Sequence, residues 1–210
     1  MRLGTRATTL WGMKRGTVAL IVLLGVIVLG GFSCVSSYNG LVALDQETQK
    51  AWAQVENVYQ RRADLVPNLV ETVKGAANFE KDTIIAVTEA RAKVGQVNLG
   101  KAPSSPDELA KFQGAQDQLS GALSRLLVVS ENYPDLKATA NFRDLQSQLE
   151  GTENRIATER MRFNESAQAF NTKLYSFPTN IMAGVFGGKF KEKSFFHSVA
   201  GADQAPKVKF

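Results

Sequence analysis

A chain of 210 residues with one cysteine and one histidine has few parts from which to build an active site. Cys34, standing alone, excludes an internal disulfide and any multi-cysteine metal site. His197 falls in the C-terminal tail, which removes the usual footing for a Ser-His-Asp triad, a histidine-rich zinc site or a Glu-x-x-His di-iron site. Carboxylates are what remain. Glu80 and Glu159 are the best-placed pair for general acid–base work, because helical spacing turns both toward other helices. No nucleophile, metal-ligand set or phosphate-binding loop accompanies them. The sequence therefore specifies no catalytic, cofactor-binding or metal-binding residue, and the expectation is a protein that is not an enzyme and needs no cofactor.

The elements that carry these residues are long amphipathic helices. Leu41, Leu44, Thr48, Ala51, Val55, Val58, Arg62 and Leu65 follow a 3-4 spacing, the seam of a helix packed at a shallow angle on its neighbours. This first helix is expected over about Tyr38–Arg62. Ala63–Val66 then reads as a tight turn, with Pro67 opening the next helix, because the residue before a proline avoids helical geometry. The second helix repeats the rhythm in Val70, Val73, Ala77, Glu80, Ile84, Val87, Arg91 and Val94, with Gly75 inside it marking a close helix approach. Gln96–Pro106 is a Gly/Pro/Ser loop. Ser105 then caps a third helix that starts at Pro106, carries Phe112, Leu119, Leu123 and Leu126, and ends near Asn132-Tyr133-Pro134. The fourth and longest, about Ala138–Tyr175, runs through Phe142, Leu145, Leu149, Thr152, Ile156, Glu159, Phe163, Ser166, Phe170 and Lys173 toward Phe177, with Leu174 offsetting Lys173. Strand signals are nearly absent. The expected fold is all-α: an N-terminal transmembrane helix, then a long antiparallel four-helix bundle over 38–177, then a Phe-rich tail over 178–210.

Four charged residues, Arg62, Glu80, Arg91 and Glu159, fall on the seams. A charge buried alone is costly, so these either pair across helices or escape to water where the heptad drifts. Two further polar clusters, Glu150/Asn154/Arg155/Arg160 and Gln60/Arg61/Asp64, fit inter-helix hydrogen bonds, a solvated face or a partner epitope. In the tail, Phe177, Phe186, Phe190, Phe195, Phe196 and Phe210 are expected to cover residual apolar surface on the helices. The competing reading sets these rings and Lys189, Lys191 and Lys193 against a membrane surface.

Ahead of the bundle lies an uncharged run over 18–35, VALIVLLGVIVLGGFSCV, close to the ~20 residues that cross hydrocarbon as a helix. It exceeds the ~7–15 residues of a signal-peptide apolar core, which favours an uncleaved anchor over a cleaved signal. Gly31-Phe32-Ser33 lacks the small aliphatic pattern that would make Cys34 a lipid-modified terminus. The glycines at 25, 30 and 31 form no GxxxG pair. Trp11 suits the membrane interface. Arg2, Arg6, Lys14 and Arg15, in the basic segment 1–17, supply four of the five net positive charges, so the remainder of the chain stands near +1. The soluble part thus offers no electrostatic case for nucleic-acid binding. Asp45, Glu47 and Lys50 follow the span, and the positive-inside bias places the bundle on the extracytoplasmic side.

The run YNGLVALDQETQKAWAQVENVYQRRADLVPNLVETVKGAANFEKDTIIAVTEARAKV resembles the LemA family, as do the later EGTENRIATERMRFNESAQAFN and SFPTNIMAGVFG. Gln60–Gly75 and Glu153–Ala157 are its strongest pieces, and the resemblance spans nearly everything from Tyr38. It implies a bacterial membrane protein with an N-terminal span and a long four-helix bundle, and no established enzymatic activity. Some members of the family are associated with magnetosome membrane formation, which is too narrow to extend to this chain. The family's usual description places the bundle in the cytoplasm, opposite to the charge bias here. Ala76 stands where the family commonly has an aromatic, and Phe79 where a histidine often precedes the glutamate. The expected role is a membrane-tethered scaffold or interaction protein that binds the bilayer through 18–35 and a membrane-protein partner or its own copies through the bundle. The alternative is an adaptor to a membrane protease or envelope-stress system.

Overall fold

The computed structural model describes residues 15–76, 79–97, 100–185 and 188–197. The basic residues before Arg15, Trp11, Ala77, Phe186 and Phe210 lie outside the described residues. Among these residues six helices follow in order: α1 Arg15–Lys74, α2 Lys81–Gln96, α3 Pro106–Ser130, α4 Pro134–Ala138, α5 Ala140–Tyr175 and α6 Thr179–Val185. No strand occurs among the described residues, so the protein is all-helical with an apolar N-terminal helix.

Helix α1 is continuous from the apolar run into the soluble part, 60 residues in all. At 1.5 Å per residue that is about 90 Å, of which roughly 30 Å is apolar and uncovered. The large apolar side chains from Val18 to Phe32 are exposed, and the first buried residue of the helix is Ser37. Ordinary aqueous burial begins only past the apolar run.

The expected break at Ala63–Val66 does not occur; Pro67 lies inside α1. An interior proline removes one N–H and crowds the carbonyl four residues back, at about 3 kcal/mol or more. Here that carbonyl belongs to buried Ala63, and the Arg91 Nε of α2 donates to it at 2.9 Å. Leu65, Val66, Leu69, Val70 and Val73 are buried on either side of the proline and hold the helix in register. The chain instead leaves the helix at Gly75, where Ala76 N–H donates to Val73 O at 3.1 Å. Gly75 therefore terminates α1 and does not mark a close approach within a second helix.

The true seam of α1 also differs from the expected one. Leu41, Thr48, Val55 and Arg62 are buried as the spacing predicts. Of the remaining expected positions, Leu65 is also buried, with Val66 beside it; Trp52 and Tyr59 are buried in place of Ala51 and Val58, and Leu44 is half-buried. A one-residue offset in the opposite sense places Thr83 and Ala90 of α2 inside in place of Ile84 and Arg91, and one in the same sense as α1 places Ala167 and Leu174 of α5 inside in place of Ser166 and Lys173. Choosing the neighbouring residue keeps a 3-4 rhythm while turning the buried stripe by about 100° at alternate positions.

α5 lies along α1, and α2 lies along α3. Buried side chains form three clusters. The first joins Leu65–Val73 of α1 with Phe79, Val87, Val94, Leu119, Leu126, Leu136, Phe142 and Leu149. The middle one is aromatic: Trp52, Tyr59, Phe112, Phe163 and Phe196. The third, nearest the apolar run, is Leu41, Phe170 and Leu174. Local signals set the helix ends well. Ser105 Oγ accepts from Glu108 N–H at 3.2 Å, and Glu108 Oε2 accepts in return from Ser104 N–H at 2.8 Å, a variant of the capping box. Thr139 caps α5 by accepting from Phe142 N–H at 3.3 Å.

Candidate interaction site

The sequence's few chemical residues are scattered. Cys34 is half-buried at the end of the apolar run, whereas His197 is exposed beside the middle of α5. His197 contributes its backbone carbonyl, which accepts from Gln113 Nε2 at 3.0 Å and Arg160 at 2.9 Å. Glu80 sits at the start of α2, where it accepts from Thr83 Oγ1 at 3.0 Å and meets Arg125 at 3.8 Å. Glu159 pairs with Arg162 one turn along its own helix at 2.7 Å. The two carboxylates thus belong to separate local networks and share no cleft. Among the described residues no group of three or more His, Cys, Asp or Glu side chains is placed to hold a metal ion.

Of the four seam charges, Arg62 alone is buried and bonded across helices. It is 1 % exposed. It donates to Ser120 Oγ at 2.6 Å, Glu153 Oε1 at 2.7 Å and Gln116 O at 3.1 Å, and also to Gln116 Oε1. Its Nε has no hydrogen-bond partner among the described residues, and the guanidinium lies 5.0 Å from the centre of the Tyr59 ring. One cation thus joins α1, α3 and α5. Burial raises the Tyr59 hydroxyl pKa above its ordinary value, against the opposing pull of Arg160 and Arg62. Arg91 is exposed yet bonds across to Ala63 O of α1, Glu80 is exposed at the start of α2 and meets Arg125 of α3, and Glu159 is partly covered and pairs within its own helix.

The most organised polar surface is the outer face of α5, where an extended stretch of chain over 191–197 is fastened. Asn164 Nδ2 donates to Phe196 O at 3.0 Å, and Asn164 Oδ1 accepts from Phe196 N–H at 2.8 Å. Asn171 repeats the arrangement on Lys193, Nδ2 to O at 2.8 Å and N–H to Oδ1 at 2.8 Å. Each amide imitates the edge of a β-strand. The spacing follows from geometry: seven helical residues rise about 10.5 Å, and three extended residues span about 10 Å.

Side chains add to the backbone clamps. The Phe196 ring is buried, stacked on Trp52 at 6.0 Å and edge-on to Phe163 at 5.6 Å, with Arg160 4.7 Å from its centre. Lys193 forms an ion pair with Asp45 and lies 5.0 Å from the centre of Phe170. Tyr175 Oη donates to Glu192 at 2.8 Å, which raises the tyrosine pKa. Phe195 packs partly on the same cluster and Phe190 on the cluster below, while Phe177 stands 80 % exposed. Sequence periodicity had no means of finding the two asparagines. Asn171 is a polar residue beside the seam, and its partner lies 22 positions away in a segment without periodicity.

An apolar N-terminal helix that runs unbroken into an all-helical soluble part, with its polar groups spent on helix-to-helix and helix-to-tail bonds, defines a membrane-anchored helical protein. The chain belongs to the LemA family, whose sequence profile matches residues 51–210. It is 27% identical over 210 aligned positions to the magnetosome protein MamQ of Magnetospirillum gryphiswaldense, covering 91% of this chain and 76% of that protein. The protein LemA of Metamycoplasma hominis is 30% identical over 152 positions, covering 72% of this chain and 66% of its own length. Of the two departures from the family pattern, Phe79 is buried against Tyr133, with ring centres 4.9 Å apart, and Ala76 packs partly on the same cluster.

Proposed function

We propose that this chain is a membrane-tethered, non-enzymatic scaffold or interaction protein of the bacterial envelope. Its long helices act as an antiparallel four-helix bundle, held upright by the continuity of α1 with the membrane span. The bundle presents a lateral face to a membrane-protein partner or to its own copies. The observation that carries the reading is the α5 face. Two asparagines one heptad apart already hold an extended peptide by its backbone, and an aromatic cluster accepts its ring. Main-chain bonds of this kind supply affinity while the side-chain pocket supplies selectivity. The positively charged flank before the span supports a bundle on the extracytoplasmic side.

A photo-crosslinking residue at exposed Met161, beside this face, tests the reading in intact membranes. Self-crosslinks or a single discrete membrane-protein adduct are expected. One dominant protease adduct would move the assignment to an adaptor role, and reproducible small-molecule turnover by the purified chain would overturn both. Protease digestion of spheroplasts tests the side: a protected bundle would reverse the orientation.

A further inference from the structure

The hairpin between α5 and α6 ends in large apolar side chains left exposed among the described residues. Phe177 is 80 % exposed, Ile181 58 % and Tyr175 60 %. Their height along the molecule is set by α1. Thr179, fully buried, meets Ser37 of α1, and Ala183 packs on the Leu41, Phe170 and Leu174 cluster. Helix α6 therefore climbs away from the apolar run, and the Ser176–Pro178 turn is its lowest point. Ser37 stands two residues past Val35, about 3 Å of helix rise, and the headgroup layer on each side of the hydrocarbon is about 5–8 Å deep. With the hydrocarbon boundary at Val35, this turn falls at headgroup depth.

The groups around them suit that depth. Lys173 passes over Gly40, where an added Cβ would sit 3.3 Å from the lysine Cε. Lys189 bonds the Tyr38 hydroxyl, with its ammonium 5.0 Å from the centre of that ring. Tyrosine and lysine at the exit of a span are interfacial residues, with the ring at headgroup level and the cation toward phosphate. Tyr38, Lys173 and Lys189 form a collar there, and α1 carries no carboxylate between Gly16 and Leu44.

We infer that the α5–α6 hairpin is a second membrane contact, with Phe177 and Ile181 seated in the interfacial layer of the phospholipid bilayer that α1 spans. This rests on α1 lying in a bilayer. The contact gives the soluble helices two points of attachment, which opposes rotation and tilt about α1.

The test uses the full chain in a Cys34→Ser background, with single cysteines at Phe177, Ile181, Val35 and Val128, each labelled with an environment-sensitive fluorophore. Val128 is 70 % exposed on α3, beside the end of α1 far from the span, and is the aqueous reference. The labelled proteins are reconstituted into phosphatidylcholine vesicles with and without phosphatidylglycerol, and quenching by shallow spin-labelled lipid is read. Labels at Phe177 and Ile181 are expected to be blue-shifted and to show more than half of the quenching seen at Val35, with more in the anionic vesicles. A Phe177 label indistinguishable from the Val128 label, with Val35 quenched, would overturn the second contact while leaving the anchor intact. A Val35 label that is itself unquenched would overturn the anchor and this inference together.

Discussion

Replacing Asn164 and Asn171 by alanine removes four hydrogen bonds that hold residues 191–197 against α5. Each neutral bond contributes about 0.5–1.5 kcal/mol net, so one asparagine accounts for about 1–3 kcal/mol. That corresponds to roughly a 5- to 150-fold rise in the population with the tail released. The two clamps are about 10.5 Å apart along the helix, far enough for their losses to add approximately. Phe196 holds independently, since burying its ring is worth about 1.5–3 kcal/mol. A single asparagine variant should therefore loosen the tail, and the double variant with Phe196→Ser should loosen it further, leaving the bonds to the His197 carbonyl, the Lys193–Asp45 pair and the Tyr175–Glu192 bond. Hydrogen–deuterium exchange of the full chain in lipid nanodiscs reads the effect directly. Protection over 191–197 should fall stepwise from single to double to triple variant, while the amides around Val55 and Leu119 keep their wild-type protection. Unchanged protection of 191–197 in the double variant would refute the clamp reasoning. Equal loss of protection in α1 and α3 would show that the asparagines support the whole fold instead.

Arg91→Ala strands the Ala63 carbonyl beside Pro67, and an unpaired buried acceptor costs about 1–3 kcal/mol. In a Pro67→Ala background the restored helical N–H should cancel most of that loss, and equal losses in both backgrounds in urea unfolding would rule the compensation out. For the buried cation, Arg62→Ala should cost about 1–3 kcal/mol by leaving the buried Gln116 side chain and carbonyl unpaired. Glu153→Gln should cost no more than about 1 kcal/mol, since that carboxylate is 46% exposed and screened; the reverse order would contradict the assignment. The Ser104 N–H and hydroxyl hold the Glu108 carboxyl below its ordinary pKa. A depressed carboxylate stabilises the fold above its unfolded value of 4.5 and loses that contribution as pH falls through its folded value, so Glu108→Gln should flatten the acid limb of a stability–pH profile. Ionising Tyr59 carries the opposite sign: its raised pKa stabilises the fold fully below pH 10.0 and is lost as pH climbs past the folded value, so Tyr59→Phe should remove that alkaline loss.

What the sequence determined by itself is everything written in local chemistry. The apolar run is long enough to span a bilayer whatever follows it. Ser105-Pro106 starts α3, and Phe112, Leu119, Leu123 and Leu126 are buried there because an apolar stripe at helical spacing has one face to hide. Three choices needed the tertiary structure. Pro67 reads as a break in any local rule, yet α1 runs through it, since Arg91 serves the orphaned carbonyl and the flanking leucines and valines are buried on both sides. The seam passes through Trp52 and Tyr59, not Ala51 and Val58, and only the positions of Phe112, Phe163 and Phe196 separate two stripes one residue apart. Asn164 and Asn171 look like solvated helix positions until a distant, aperiodic segment is laid across them. Periodicity reports which face of a helix is hidden to within a residue. What hides it is a contact between distant positions, and the order of residues along the chain does not encode that distance.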